Sequence, residues 1–173
     1  MITTLALDLS TKSSGYAIFE DQNLVKYACI TASSTNLFKR IDKMVQELTT
    51  VLTENKIDKV VIEDVLPEDV RGNNNVFKAL IYLQAFVVHL LDNYNLTPIF
   101  FTASHWRKLC GINTGRGVRR ESLKPRDIAF VQSQFGITVN DDIADAICIG
   151  FAAIGGTIKE PQVITTDDGF EFG

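Results

Sequence analysis

The sequence predicts an α/β fold with five strands, of which the first three form an antiparallel meander, and with helices that follow them. Two observations predict this arrangement. The first is the order of the hydrophobic patterns, which runs through three strand-like segments, a helix, a strand, a helix, a strand and further helices. The second is the run KVVIEDV at 59–65, whose β-branched composition is typical of a strand that is buried on both faces.

The first three strands are expected to form a meander at 2–9, 15–20 and 24–31, joined by short polar turns. A helix is expected at 37–54, because Asn36 suits an N-cap and apolar residues then recur at spacings of three and four. The remaining expected elements are a helix at 74–92, a strand at 97–101, a short helix at 103–109, a loop at 111–120, and helices at 124–135 and 141–154.

One domain is expected at 1–156, followed by a peripheral or disordered acidic tail at 157–173. The 173 residues, 46% hydrophobic and 22% charged, suit a single sizeable core. The three cysteines lie far apart and fit neither a zinc site nor a disulfide framework, so buried thiols are expected. Without a basic leader or an uninterrupted apolar stretch of about eighteen residues, the chain is expected to be cytoplasmic and to have no membrane partner.

The helix at 74–92 carries more apolar residues than one sheet face can cover. We expect the surplus to form a contact between two copies of the chain. The sequence therefore predicts a homodimer.

Positive charge is concentrated in one segment. The net charge is −4, which by itself argues against a nucleic-acid partner. Between His105 and Arg126, however, seven basic residues stand against the single acid Glu121. The candidates for phosphate contacts are Arg107, Lys108, Arg116, Arg119, Arg120, Lys124 and Arg126. An acidic body with one basic segment fits a protein that grips a polyanion on one side, and Trp106 within it is expected either to stack on a base or to pack in the core.

Four acids stand where acids are costly. Asp8 lies inside the apolar strand LALDL, and Glu63 ends the apolar run VVI. Asp142 and Asp145 are three residues apart at the start of a helix, so they project from one face of its first turn. Converging carboxylates without paired bases repel one another unless cations neutralise them, so two Mg²⁺ ions are expected, with Mn²⁺ as a substitute. Asp141 is the alternative to Asp142, which is preferred for its i, i+3 spacing to a second acid.

The motifs carry a resemblance to a known family. LALDLSTKSSGYAIF, the VVIED strand, the Trp-Arg pair after the fifth strand and the terminal DDIADA resemble the RuvC-type Holliday-junction resolvases of the ribonuclease H-like superfamily. The resemblance covers about residues 2–155. It implies a ribonuclease H-like fold with a five-stranded mixed sheet flanked by helices, and it implies a homodimer. Carried over residue by residue, the acidic catalytic and metal-binding tetrad of the family falls on Asp8, Glu63, Asp142 and Asp145.

The activity that this resemblance implies is the resolution of four-way DNA junctions, and of other branched DNA, by paired metal-dependent nicks. Asp8 is expected to contact both cations. The sequence departs from the family in having Asp64, Val65 and Leu66 where bacterial members often carry an aromatic residue that wedges into the junction. We therefore expect a preference for branched DNA that is looser than that of the bacterial members, as is expected of phage-encoded relatives.

Two other functions are compatible with parts of the sequence. DLSTKSSGYAIF also resembles the first phosphate-binding turn of sugar kinases and actin-like ATPases, which carry a second Gly-rich phosphate loop that this sequence lacks. The other alternative is a non-catalytic module that binds branched DNA on the same fold. Retention of all four acids argues against it, because buried acids without metals cost stability.

Overall fold

A computed structural model of the chain describes residues 1–157, apart from the side chain of Arg120. Its strands are β1 (Thr3–Asp8), β2 (Ser13–Glu20), β3 (Asn23–Thr31), β4 (Lys59–Glu63) and β5 (Pro98–Phe101). Its α-helices are α1 (Leu37–Glu54), α2 (Asn74–Asp92), α3 (Ala103–Leu109), α4 (Leu123–Phe135) and α5 (Asp141–Ala153), with short 3₁₀ helices at Pro67–Val70 and Arg120–Ser122. The expected tail lies outside the described residues from 158 onward and stays a prediction.

The five strands form one mixed sheet in the order β3-β2-β1-β4-β5. β1, β2 and β3 are antiparallel neighbours, whereas β4 runs parallel to both β1 and β5. The predicted fold class is thereby confirmed. Two boundaries differ from expectation by two residues, and the others by one at most. β2 begins at Ser13 rather than at Gly15, and β4 ends at Glu63 rather than at 65, because the chain turns away after the Asp64 amide donates to the Phe101 carbonyl.

One face of the sheet is covered by α1 and α2. Alternate side chains of each strand, such as Leu5 and Leu7 of β1, point to this face. They contact large apolar residues from both helices, among which Met44 and Leu83 are fully buried. The start of α1 is fixed as expected, since the Asn36 side chain accepts hydrogen bonds from the amides of Phe38 and Lys39. This face forms the aliphatic core of the molecule.

The opposite face is covered by α3, α4 and α5, and its strands carry small residues. Ala6 and Ala17 lie under α5, nearly all of which is buried. The approach is close enough that a Cβ on Gly15 would lie 1.9 Å from the Asp142 carbonyl oxygen, and one on Gly150 would lie 2.3 Å from the Phe19 ring. Two glycines therefore let α5 lie directly on the sheet, with its first turn beside β2.

The outer face of α2 is apolar and exposed. Val76, Ile81, Tyr82 and Phe86 are 37–50% exposed, and the Tyr82 ring lies 6.0 Å from that of Phe38 on α1. With a mean hydropathy of 1.3 and only 22% of its apolar window buried, α2 is also long enough to cross a membrane by length and composition alone. The predicted dimer contact and the expected absence of a membrane partner both stay predictions.

Candidate active site

The register of two parallel strands places Asp8 beside Glu63. Leu7 of β1 is paired with Ile62 of β4, so each acid is the next residue along, at the carboxyl end of its strand. Their parity is that of Ala6 and Val61, which face α5 rather than α1. Adjacent strands lie about 4.8 Å apart, so the two carboxylates share one edge and one face of the sheet.

The start of α5 adds two more acids to the same edge. The Asn140 side chain caps the helix by accepting from the Ile143 amide at 2.9 Å. The Asp142 carboxylate accepts a hydrogen bond from Ser13 Oγ at 2.6 Å, which ties this turn of α5 to the beginning of β2. Asp145 lies one turn further on and is 7% exposed.

All four acids line one cavity of about 610 Å³. Its other wall comes from α3, α4 and the loops beside them. Charged side chains on that wall are Asp69, Arg71, Arg107, Glu121 and Lys124. A second cavity of about 670 Å³ adjoins it and shares Asp8, Ser10, Glu63 and Asp69.

The acids are desolvated and repel one another. Burial, together with the charges of Glu63 and Asp142, raises the pKa of Asp8 well above its usual value. Burial also raises the pKa of Glu63, against the hydrogen bond that Glu63 accepts from Trp106. For Asp145, burial followed by the charge of Asp8 raises the pKa to about 10. Burial and mutual repulsion thus make these three carboxyl groups easier to protonate than free carboxylates as long as no cation is bound.

Asp141, the alternative to Asp142, is used differently. Its carboxylate pairs with Lys124 of α4, and this hydrogen bond lowers the pKa of Asp141 and raises that of Lys124. Asp141 does not line the cavity, whereas Asp142 does. The geometry favours Asp142 as the member of the acidic set.

The donor set fits divalent cations, although the ligation sphere is not preformed. As the side chains stand, no three His, Cys, Asp or Glu residues among 1–157 are close enough together to hold a metal ion. Oδ1 of Asp145 is nevertheless buried without a hydrogen-bond partner, and it belongs to a group of four hard oxygen donors at one edge. Rotation of these side chains onto a cation would give the unpartnered oxygen a ligand contact and would neutralise the mutual repulsion of the carboxylates.

Sequence reasoning left the role of Trp106 open and missed its contact with the site. Trp106 is fully buried, and its Nε1 donates to Glu63 Oε2 at 2.7 Å. The neighbouring Arg107 is buried in a bidentate pair with Asp127 of α4. Its guanidinium thus has a carboxylate partner already, in contrast to the expected phosphate contact. No sequence signal indicated Asp127, because the pair spans twenty residues of chain.

The other members of the basic segment lie at the surface. Lys108 lines a separate cavity next to the loop at 111–115, Arg126 donates to the Asn113 carbonyl, and Arg116 and Arg119 are exposed in the loop itself. Lys124 lines the acidic cavity. The side chain of Arg120 lies outside the described part of the chain. Arg71, which the sequence did not single out, also borders the cavity and pairs with Glu121 across it.

Comparison with known proteins was made by sequence and by structure. No protein-family model and no curated protein sequence matches the chain. By structure, the RuvC of Thermus thermophilus, solved in complex with a Holliday junction substrate, has a TM-score of 0.72 at 11% identity, covering 88% of this chain and 94% of that one. The fowlpox virus resolvase, solved with Holliday junction DNA, gives 0.56 at 19% identity, covering 88% and 97%.

A further similar structure is the yeast mitochondrial Holliday junction resolvase Ydc2, with a TM-score of 0.56 at 12% identity over 88% of this chain and 77% of that one. The chain therefore has the ribonuclease H-like fold of RuvC and other Holliday junction resolvases. At these low sequence identities, the structural similarity shows the fold alone. Any argument about function has to come from the residues of the site.

Proposed function

We propose that the chain is a metal-dependent nuclease that cuts branched DNA, with four-way junctions as its first substrate. The observation that carries the proposal is the convergence of Asp8, Glu63, Asp142 and Asp145 on one cavity, at the edge of a sheet with the fold of junction resolvases. Four acids brought together from two strands and a helix have no structural use that would offset the cost of their burial.

Asp8, Glu63, Asp142 and Asp145 would hold two Mg²⁺ ions, or Mn²⁺ in their place. When bound, the cations would supply an activated water and neutralise charge on the departing oxygen of a phosphodiester. Asp8 has acids on both sides, Glu63 and Asp142, which suits a ligand shared by both cations. Ser13 donates to Asp142 and so restricts the orientation of that carboxylate.

The basic residues near the cavity would position the DNA. Lys124 reaches the cavity from α4 and pairs with Asp141 at the start of α5. This pair is partly exposed, unlike the buried Arg107–Asp127 pair, so the ammonium group would also meet a phosphate held at the acidic edge. Lys108, Arg116, Arg119, Arg120 and Arg126 would contact phosphates further along the arms. Contacts of this kind orient a duplex without reading its sequence.

Paired nicks require two active sites. The exposed apolar face of α2 supplies a contact for a second copy, and Ile81, Tyr82 and Phe86 of this face do not line either cavity that holds the acids. Val76, at the start of the helix, borders the second cavity beside Asp8 and Glu63. We therefore infer a homodimer with two separate cavities. The cytoplasmic location stays a prediction from the sequence.

The test is cleavage of a synthetic four-way junction, with linear duplex and a splayed fork as controls, in Mg²⁺ and in EDTA. Paired nicks that require Mg²⁺ are expected for the wild type. Asp8→Asn should lower the cleavage rate by a factor of about 1,000 or more and leave junction binding intact, since the mutation removes a carboxylate from the metal site. Asp92→Asn, at the end of α2, is the matched control because Asp92 is exposed on the opposite side of the sheet.

The alternative function, a non-catalytic module that binds branched DNA, is favoured by one observation: the acids are not positioned for metal binding as they stand. Melting temperatures in Mg²⁺ and Mn²⁺ distinguish the two, because a ligand that binds only the folded state stabilises it. A rise that Asp8→Asn abolishes supports the nuclease. Junction binding without cleavage and without a metal-dependent rise would establish the module instead.

A further inference from the structure

Three buried side chains stand behind Glu63 and do not belong to the acidic set. They are Trp106 and Arg107 of α3 and Asp127 of α4, and they are 0%, 9% and 0% exposed. We call them the positioning cluster. It connects α4 through α3 to the end of β4, on the side of the sheet where the cavity lies.

The first connection is made by the indole nitrogen. Trp106 Nε1 donates to Oε2 of Glu63 at 2.7 Å. An indole N–H is a donor only, so this contact fixes which carboxylate oxygen faces α3 and leaves the other oxygen free to face the cavity. Packing alone would explain why the ring is buried. It would not explain why the ring carries an N–H donor that faces Glu63.

The second connection holds the ring. The Arg107 guanidinium carbon lies 4.2 Å from the centroid of the Trp106 ring, a cation–π stacking distance. The guanidinium is in turn held by Asp127, with Nε 3.1 Å from both carboxylate oxygens and Nη2 2.7 Å from Oδ2. A planar bidentate pair of this kind has little rotational freedom, so the ring stacked on it has little as well.

We propose that Trp106, held by the Arg107–Asp127 pair, is a positioning residue that sets the orientation of the Glu63 carboxylate for a divalent cation. The proposal deepens the proposed function and rests on its metal site. It also gives the Trp-Arg pair of the sequence a role at the acidic site rather than on DNA. Partners that orient a metal-ligating side chain typically contribute a factor of about 10 to 100 in metal affinity.

The test measures Mn²⁺ binding to the DNA-free protein by electron paramagnetic resonance, in the wild type and in Trp106→Phe. Phenylalanine keeps a ring on Arg107 and removes the donor to Glu63 together with part of the buried ring volume, so a control for lost packing is needed. We expect Mn²⁺ affinity to fall about 10- to 100-fold, junction affinity in EDTA to stay unchanged, and cleavage to recover in part at raised Mg²⁺.

Cys110→Ala is the matched control. The Cys110 thiol is buried in the same part of the core and lies 3.4 Å from the Cys148 carbonyl oxygen, to which it donates. Its loss should lower the melting temperature by an amount similar to that in Trp106→Phe without changing Mn²⁺ affinity. Equal Mn²⁺ affinity in Trp106→Phe and wild type would overturn the proposal.

A second measurement needs no variant. Trp106 is the only tryptophan of the chain, so indole emission reports on this one contact. Emission should change on Mg²⁺ titration over the concentration range that supports cleavage, and constant emission at saturating Mg²⁺ would overturn the proposal. Wild-type Mn²⁺ binding without any cleavage would remove the nuclease function and leave the positioning role, whereas absence of Mn²⁺ binding would remove both.

Discussion

The two faces of the sheet are covered by different types of residue. The face under α1 and α2 is filled by large aliphatic side chains, among them Leu5, Leu7 and Leu83. The face under α3, α4 and α5 carries alanines and glycines on its strands and holds the acids and a buried ion pair. The difference indicates that the first face stabilises the fold, whereas the charged groups buried on the second face lower its stability and form a site.

A large loss of stability is expected from a substitution on the aliphatic face. Leu83 is fully buried between α2 and the sheet, so Leu83→Ala should lower the free energy of unfolding by about 2–5 kcal/mol. Cleavage per folded molecule should stay near the wild-type value at low temperature. Chemical denaturation and the junction assay measure the two quantities. Leu109→Ala, at a side chain that is 44% exposed, is the control, and a large drop in cleavage by folded Leu83→Ala would break the division between the faces.

On the other face, two glycines allow a direct comparison of stability with activity. Gly15→Ala and Gly150→Ala each place a methyl group against α5, and each should cost roughly 1–3 kcal/mol. Gly15→Ala meets the Asp142 backbone and should displace the acids, so cleavage should fall about 100-fold. Gly150→Ala meets the Phe19 ring two turns away and should leave cleavage per folded molecule nearly unchanged. Equal losses of activity would show that the placement of α5 is not what sets the site.

Asp145→Asn tests the cost of the acids directly. The pKa of Asp145 is about 10 in the folded chain against an ordinary 3.8, so the folded state holds a proton that the unfolded state releases. Without metal, the contribution of Asp145 to stability is therefore most favourable below pH 4 and becomes less favourable as pH rises towards 10, by up to about 1.4 kcal/mol per pH unit. In EDTA, Asp145→Asn should be more stable than wild type, and more so at pH 8 than at pH 5.

Denaturation in EDTA at a series of pH values measures that difference, with Asp92→Asn as the control. Parallel curves for Asp145→Asn and wild type would show that Asp145 carries no such penalty. The variant should also lose cleavage in Mg²⁺, since the same carboxylate belongs to the proposed metal site.

The smallest effect is expected at the rim of the cavity. Lys124→Ala should weaken junction binding about threefold to tenfold and reduce the slope of affinity against salt by about one, as for one lost phosphate contact. Lys39→Ala, on α1 at the opposite face, should change neither quantity. Binding isotherms at several salt concentrations measure both, and an unchanged salt slope would remove Lys124 from the DNA surface.

Hydrophobic periodicity predicted every strand and α-helix of residues 1–157, because each element has to bury one side. The boundary errors were local: the strand at 59–65 was too long, since Val65 and Leu66 continue an apolar pattern after the chain has left the sheet. Asp8 and Glu63 were singled out because a carboxylate in an apolar run is rare, and Asp142 and Asp145 because they are three residues apart at the start of a helix. Arg107 was placed on DNA because its partner Asp127 is recognisable only in the folded chain.

The sequence by itself determined the fold class and the order of the elements along the chain, and it singled out the candidate acids, because burial and chain connectivity leave few arrangements open. Tertiary structure alone decided which charged groups face which. The pairing of Leu7 with Ile62 put Asp8 beside Glu63, and the missing side chain of Gly15 let Asp142 approach. The Trp106 donor reached Glu63 from 43 residues away. Contacts of that kind depend on distances across the core, which no local pattern records.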